Sequence, residues 1–264
     1  TEFSSNKGFN ELSNSVLANG DWYRFYVEKS GVYKLSKSFL QQLGINLNNI
    51  NPRSIKIYGN GGRMVPLSNA IDYPADIEEN AIQVVGEEDG SFDNNDYVLF
   101  YAEGVDNWSA ENSTHLNLYD TKSYYYVNVQ GAFGKRIASM PEITSSGTPI
   151  SICDTYNFHE RDLINIVRLG RRWFGEDFSF NNEQTFDFTV PNINTTLPAQ
   201  ISVVGAAGSF NSSVMNVKVN NADAGVLNFP AIGSGSDIGF TETTQNFSIP
   251  SNVNLEVKLI FNNN

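Results

Sequence analysis

From Thr185 to Phe261 the apolar side chains fall on every second position. Phe186, Phe188 and Val190 precede Pro191, Ile201 and Val203 precede Gly205, and Val217 and Val219 precede Asn220-Asn221. Phe247 and Ile249, then Leu255, Val257, Leu259 and Phe261, continue the rule. A period of two places such residues on one face of a strand, and evenly spaced turns bring the strands back so that two sheets bury those faces together. Residues 148–264 are therefore expected to form a jelly-roll-like β-sandwich. Because Phe261-Asn262-Asn263-Asn264 follows a strand without a polar cap, the sandwich is expected to lack its closing strand, since an open sheet edge is normally covered.

The first half reads differently. Trp22, Phe25 and Val27 lead through Lys29-Ser30-Gly31 into Val32-Tyr33-Lys34-Leu35, which predicts a β-hairpin. Ser36 to Leu43 carries Phe39, Leu40 and Leu43 at helical spacing, with Ser36 placed as N-cap and Gly44 as terminator, so a short helix is expected near 36–43. Ile55 and Ile57 alternate with polar neighbours up to Asn60-Gly61-Gly62, whose residues tolerate the positive φ of a chain reversal. Runs at 82–85 and 97–101 predict two strands joined by an acidic turn, and 124–129 predicts another. The periodicity then lapses between Gly131 and Gly147. The expected organisation is an N-terminal β-rich domain over 1–147 followed by the sandwich over 148–264.

A chain of 264 residues exceeds one typical domain, and 12% aromatic against 17% charged residues is globular rather than disordered. Plentiful Asn, Ser, Thr and Gly accompany the many Tyr and Phe, as in all-β (mainly β) proteins with many turns and few short helices. The formal net charge of −12 repels phosphate polyanions, which argues against nucleic-acid binding and against simple adsorption to an anionic membrane. No apolar run approaches the roughly 20 residues of a transmembrane segment, and Thr1-Glu2-Phe3-Ser4 is unlike a signal peptide, so the chain reads as soluble and already processed.

Candidate chemistry is sparse. Cys153 is the one cysteine, which excludes an intrachain disulfide and any multi-thiolate metal site. Thiol catalysis needs an imidazole within reach of the sulfur. His159 lies six positions away, roughly 20 Å along an extended strand, and His115 sits in a polar run. Cys153 is expected to be a small buried hydrophobe, the histidines to be structural or exposed, and this stretch to hold no catalytic residue. Asp89-Gly90-Ser91-Phe92-Asp93-Asn94-Asn95-Asp96 offers oxygen ligands around a glycine, as calcium requires, but departs from the EF-hand spacing. The rival reading is a turn in which Asp and Asn side chains bond their own backbone. Gly59-Asn60-Gly61-Gly62 lacks the following helix and the Lys-Ser/Thr pair of a phosphate loop and reads as a turn. Arg168, Arg171 and Arg172 beside Trp173, with Glu176 and Asp177 after them, form the one notable basic cluster. It suits either internal pairing with the acids or docking of a domain or partner.

Several words of the sequence occur together in one known family. They are Gly-Asp-Trp-Tyr at 20–23, Ser-Gly-Val-Tyr-Lys-Leu at 30–35, Ile-Tyr-Gly-Asn-Gly-Gly at 57–62 and Glu79-Asn80-Ala81-Ile82. Gly86-Glu87-Glu88-Asp89-Gly90 with Phe92, Asp96-Tyr97 with Phe100-Tyr101 and Gly104, and Gly170-Arg171-Arg172-Trp173 with Gly175-Glu176 extend them. Over most of residues 15–180 the chain resembles the N-terminal region of PorU-type sortases of the type IX secretion system, gingipain-like cysteine peptidases of the bacterial cell surface. The resemblance implies a non-catalytic portion of a protein secreted across the outer membrane. In that family a later peptidase domain carries the Cys/His pair. It removes the C-terminal sorting domain of secreted cargo and transfers the new carboxyl terminus to lipopolysaccharide through an acyl-enzyme. The implied partners of the present residues are that downstream peptidase domain and an outer-membrane docking protein of the attachment complex, with cargo met through the catalytic domain; no cofactor is implied. The alternative is a stand-alone adhesin or carbohydrate-binding module that stacks sugars on Trp108, Trp173 and Tyr124.

Overall fold

Aromatic and β-branched residues placed alternately on a strand leave one face that must find an apolar partner, and the chain meets this demand twice. The computed structural model describes residues 13–68, 70–140, 147, 150–168, 170, 172–235, 237 and 239–263. The chain divides into two compact units, Thr1–Ser146 and Gly147–Asn264, and is all-β apart from one short α-helix and three 3-10 turns among the described residues.

In the first unit β1 (Tyr23–Val27), β2 (Gly31–Ser36), β3 (Lys56–Tyr58), β4 (Glu79–Asn80), β5 (Gln83–Val85), β6 (Tyr97–Ala102) and β7 (Ser123–Asn128) make two antiparallel sheets. Their strand orders are β1-β7-β3-β4 and β2-β6-β5. The inward residues of both, among them Phe25, Val27, Ile57, Val98, Phe100, Tyr125 and Val127, share one core. Phe25 meets Phe100 edge-on at 5.9 Å and stacks on Tyr125 at 5.9 Å, so a residue of each sheet touches the other. The Tyr125 hydroxyl accepts from Glu103 N at 2.8 Å, and burial pushes its pKa above the ordinary phenol value. The helix α1 (Lys37–Gln42) forms as expected. Ser36 Oγ accepts from Phe39 N at 3.2 Å, Leu40 is fully buried, and Gly44 closes the helix at φ +96°.

One expectation fails here. β1 and β2 do not pair as a hairpin: β1 pairs with β7 and β2 with β6. The intervening turn is held by residues 104–106 instead. Val105 N donates to Glu28 O, Gly104 N donates to Ser30 Oγ at 3.0 Å, and Ser30 N and Oγ both donate to Asp106 Oδ1 at 2.9 Å. With the turn engaged sideways, the chain steps from one sheet to the other.

In the second unit β8 (Glu183–Thr189), β10 (Ser213–Val219), β11 (Ala222–Phe229) and β13 (Asn254–Asn263) form a sheet ordered β11-β10-β13-β8, while β9 (Ala199–Ala207) and β12 (Thr241–Ile249) pair separately. Val203, Val217, Leu227, Phe229, Phe247 and Val257 from both sheets share a core, which makes a sandwich of six strands. Period-two reading missed β11. Its register with β10 slips between Val217 and Lys218, where Ala224 is left over, and over the regular part of the ladder Val226 faces solvent while Leu227 and Phe229 face the core. Asn220 and Asn221 both adopt positive φ, +49° and +66°, the backbone a two-residue hairpin turn requires. Leu227 is fully buried, so Leu227→Ala is expected to cost about 2–5 kcal/mol and to lower the chemical-denaturation midpoint of the second unit. The check is the transition followed by fluorescence; a shift no larger than that of Val226→Ala would place Leu227 outside the core.

Candidate interaction surface

Residues 150–158 pass across the second unit without joining a strand and are all exposed. Cys153 is among them, which corrects the expectation that it is buried: no sheet face covers this stretch among the described residues, so the thiol has nothing to pack beneath. Neither histidine serves it. The His159 Nε2 lies 2.8 Å from Glu176 Oε1 and its ring rests 4.7 Å from Phe186 of β8. The His115 ring, in the first unit, lies 4.7 Å from Trp108.

The basic cluster is built on a small loop. Leu163 N and Ile164 N donate to Phe174 O, and Phe174 N donates back to Ile164 O, closing residues 164–174. Arg168, at φ +54°, and Gly170, at φ +72°, turn the tip. From this loop Arg172 reaches inward. Its Nε donates to Glu242 Oε2 at 2.9 Å and its Nη2 to Glu242 Oε1, a two-pronged contact with β12. Its guanidinium also sits 5.0 Å from the Phe174 ring, which meets Phe240 edge-on at 5.3 Å. Glu176 is likewise engaged, by His159 and by Arg161 Nη1 at 3.6 Å. Arg168 and Trp173 point outward and are exposed. Arg171 lies outside the described residues.

Of the five residues singled out by sequence, the four that are described do two jobs. Arg172 ties the loop to β12 and Glu176 ties its far end to His159 and Arg161, whereas Arg168 and Trp173 are exposed. Sequence proximity pointed to Glu176 and Asp177 as the acids of the cluster, but Arg172 took Glu242, 70 positions away. No local signal identifies Glu242, since only the fold brings β12 under the loop. Phe240 and Arg161 were missed, whereas His159, expected to be structural or exposed, is exposed and pairs with Glu176.

Exposed apolar residues are frequent in the stretch of sequence around this loop. Ile150 and Phe180 are 90% and 100% exposed, and Ile152, Tyr156 and Leu163 are also open to solvent with Trp173. These exposed large hydrophobic residues all fall within residues 150–180. Elsewhere the acidic loop shows the turn geometry. Ser91 N donates to Asp89 Oδ1 at 2.9 Å, Asp93 N to Asp96 Oδ2 at 2.5 Å, and Gly86 and Gly90 flank a 3-10 turn at positive φ. Among the described residues no group of three or more His, Cys, Asp or Glu is arranged to hold a metal ion.

Neither a family profile nor a curated protein matches the sequence. Among solved structures, the crystal structure of dimeric latent PorU from Porphyromonas gingivalis matches with a TM-score of 0.65 over 94% of this chain. This chain has the fold of part of PorU. At 22% identity the likeness is one of fold, and the chain spans 23% of the length of that PorU chain.

Two variants probe the clamp. Arg172→Ala removes a partly exposed ion pair, so the global midpoint is expected to fall by no more than about 1 kcal/mol while limited proteolysis within 150–180 accelerates. Unchanged proteolysis would show that the pair does not hold the loop. Asp162 has a pKa raised by burial and by Glu160, partly offset by Arg172. A carboxyl whose folded pKa is raised opposes folding once it ionises, and this penalty disappears as pH falls through the folded and then the unfolded value. Asp162→Asn is therefore expected to raise the melting temperature at neutral pH, with the gain shrinking on acidification towards the ordinary carboxyl range.

Proposed function

We propose that this chain is a non-catalytic portion of a PorU-like protein of the type IX secretion system, displayed at the cell surface, and that it positions a peptidase domain encoded further along. The observation that carries this reading is the fold match, which takes in nearly all of this chain and less than a quarter of the longer PorU chain. The sequence words shared with the sortase family support it. The Ile-Tyr-Gly-Asn-Gly-Gly word forms β3 and the turn after it, where Asn60 Nδ2 donates to Asp76 O and Asn60 Oδ1 accepts from Glu78 N, both at 2.9 Å. Such words specify a structural joint and supply no reacting group.

Thiol chemistry belongs, in this reading, to the downstream domain: a cysteine there attacks the cargo chain, forms an acyl-enzyme and yields the cargo to lipopolysaccharide. The present residues hold that domain and meet an outer-membrane docking partner. Trp173, Arg168 and the exposed apolar residues of 150–180 are the docking surface, with Arg172 and Glu176 keeping the loop in shape. A carbohydrate-stacking module has less support, because the Tyr124 ring is occupied by the Arg24 guanidinium at 4.9 Å and the Trp108 ring lies against His115.

The reading frame past the codon for Asn264 tests the proposal. A following domain with a Cys/His pair is expected, and a stop codon soon after would overturn it. In the intact protein Cys153→Ser is expected to leave thiol-dependent cleavage unchanged, whereas loss of cleavage would assign the chemistry to these residues.

A further inference from the structure

The solvent face of the sheet β1-β7-β3-β4 differs from the rest of this acidic chain. Alternation puts Arg24 and Tyr26 of β1, Tyr124 and Tyr126 of β7, and Tyr58 of β3 on it, opposite the buried Phe25, Tyr125 and Ile57. Tyr26 is about half exposed and packs edge-on against Tyr124 at 6.3 Å. The Arg24 guanidinium lies 4.9 Å from the centre of the Tyr124 ring, and Lys122 Nζ lies 4.0 Å from the centre of the Tyr26 ring.

Neither cation has a carboxylate within ion-pair distance among the described residues, although the chain carries 29 acidic residues against 17 basic. Elsewhere the same residue types do find one, as in Arg63 with Glu103, Arg136 with Glu87 and Lys258 with Glu183. Glu28 follows directly after β1 and is exposed, yet it forms no ion pair with Lys122. A ring holds a cation in place without using up its N–H donors. The two cations are therefore fixed in position with donors left over.

The strand that carries Arg24 and Tyr26 is also an edge. β1 pairs with β7 on one side and with no strand on the other among the described residues, so one row of its N–H and C=O groups is free to pair. Arg24 and Tyr26 are two positions apart, the repeat at which an added strand presents side chains to the same face. The ring faces of Tyr26 and Tyr124 already carry cations, so the patch offers N–H donors outward rather than bare rings for a sugar.

We propose that this edge receives an extended acidic segment of a partner protein, which adds beside β1 as a fifth strand and sets carboxylates against Arg24 and Lys122. Backbone pairing supplies the register and the alternate carboxylates supply the selectivity. This surface lies in the first unit and is separate from the Trp173 surface, so its test stands independently of the reading above.

The probe is a short fluorescent peptide of alternating glutamate and valine, titrated into the whole chain and followed by anisotropy. Saturable binding is expected, weakening by about tenfold or more in Arg24→Gln/Lys122→Gln and in Arg24→Glu/Lys122→Glu, and weakening with added salt. Far-UV circular dichroism of the variants is expected to match the parent, because both side chains lie on the solvent face. Methylating alternate backbone nitrogens of the peptide is expected to abolish binding, and the lysine–valine counterpart is expected not to bind. The proposal is overturned if no binding is seen, if the acidic and basic peptides bind alike, or if the folded variants bind as the parent does. Unchanged binding of the N-methylated peptide would refute strand addition. Binding of polygalacturonate without binding of the peptide would assign the patch to a glycan and likewise overturn it.

Discussion

Three pieces of backbone meet in the first unit with no room for a side chain between them. A Cβ on Gly104 would lie 2.4 Å from the carbonyl carbon of Lys29 and 2.6 Å from Glu28 O, and one on Gly62 would lie 2.5 Å from Gly104 O. Contacts so close leave glycine as the residue that fits at both positions. Around them Val105 N bonds Glu28 O, the Ser30 hydroxyl links Gly104 N to Asp106, and Asn117 Nδ2 donates to Gly62 O at 2.8 Å. The two sheets are tied together at this junction. Because the chain between β1 and β2 is gripped there, the two strands enter different sheets, and Phe25 reaches Phe100 and Tyr125 at once.

The second unit has a separate core and a different constraint. Its sheets bury alternate residues almost throughout, and the rule is broken where β11 carries the unpaired Ala224, beyond the regular ladder that presents Leu227 and Phe229 inward. The loop with Arg168, Arg172 and Trp173 is attached to the sandwich by charge and by aromatic contact rather than by a strand. Ionic clamps on a partly exposed loop are weak, so this attachment adds little to the stability of the sandwich.

Much of the fold was legible because its signals are local. Ser36 and Gly44 bracket α1, the runs at 82–85 and 97–101 pair as β5 and β6, and the alternation around Val203, Val217 and Val257 marks strands of the sandwich. What was not legible depended on distant partners. Trp22 to Leu35 has every mark of a hairpin, yet residues 104–106 decided otherwise. Cys153 has the composition of a core residue, but its segment is one that no sheet covers. Arg172 lies beside suitable acids in sequence and pairs with Glu242 instead, since β12 passes under the loop.

The amino-acid order by itself determined where most strands and turns fall and that the chain is all-β. Those properties follow from side-chain period, backbone freedom at glycine and asparagine, and the residues available. Tertiary structure alone decided which strands pair and which apolar residues stay in solvent. Pairing and exposure are set by contacts between residues far apart in sequence, and no short-range rule encodes them.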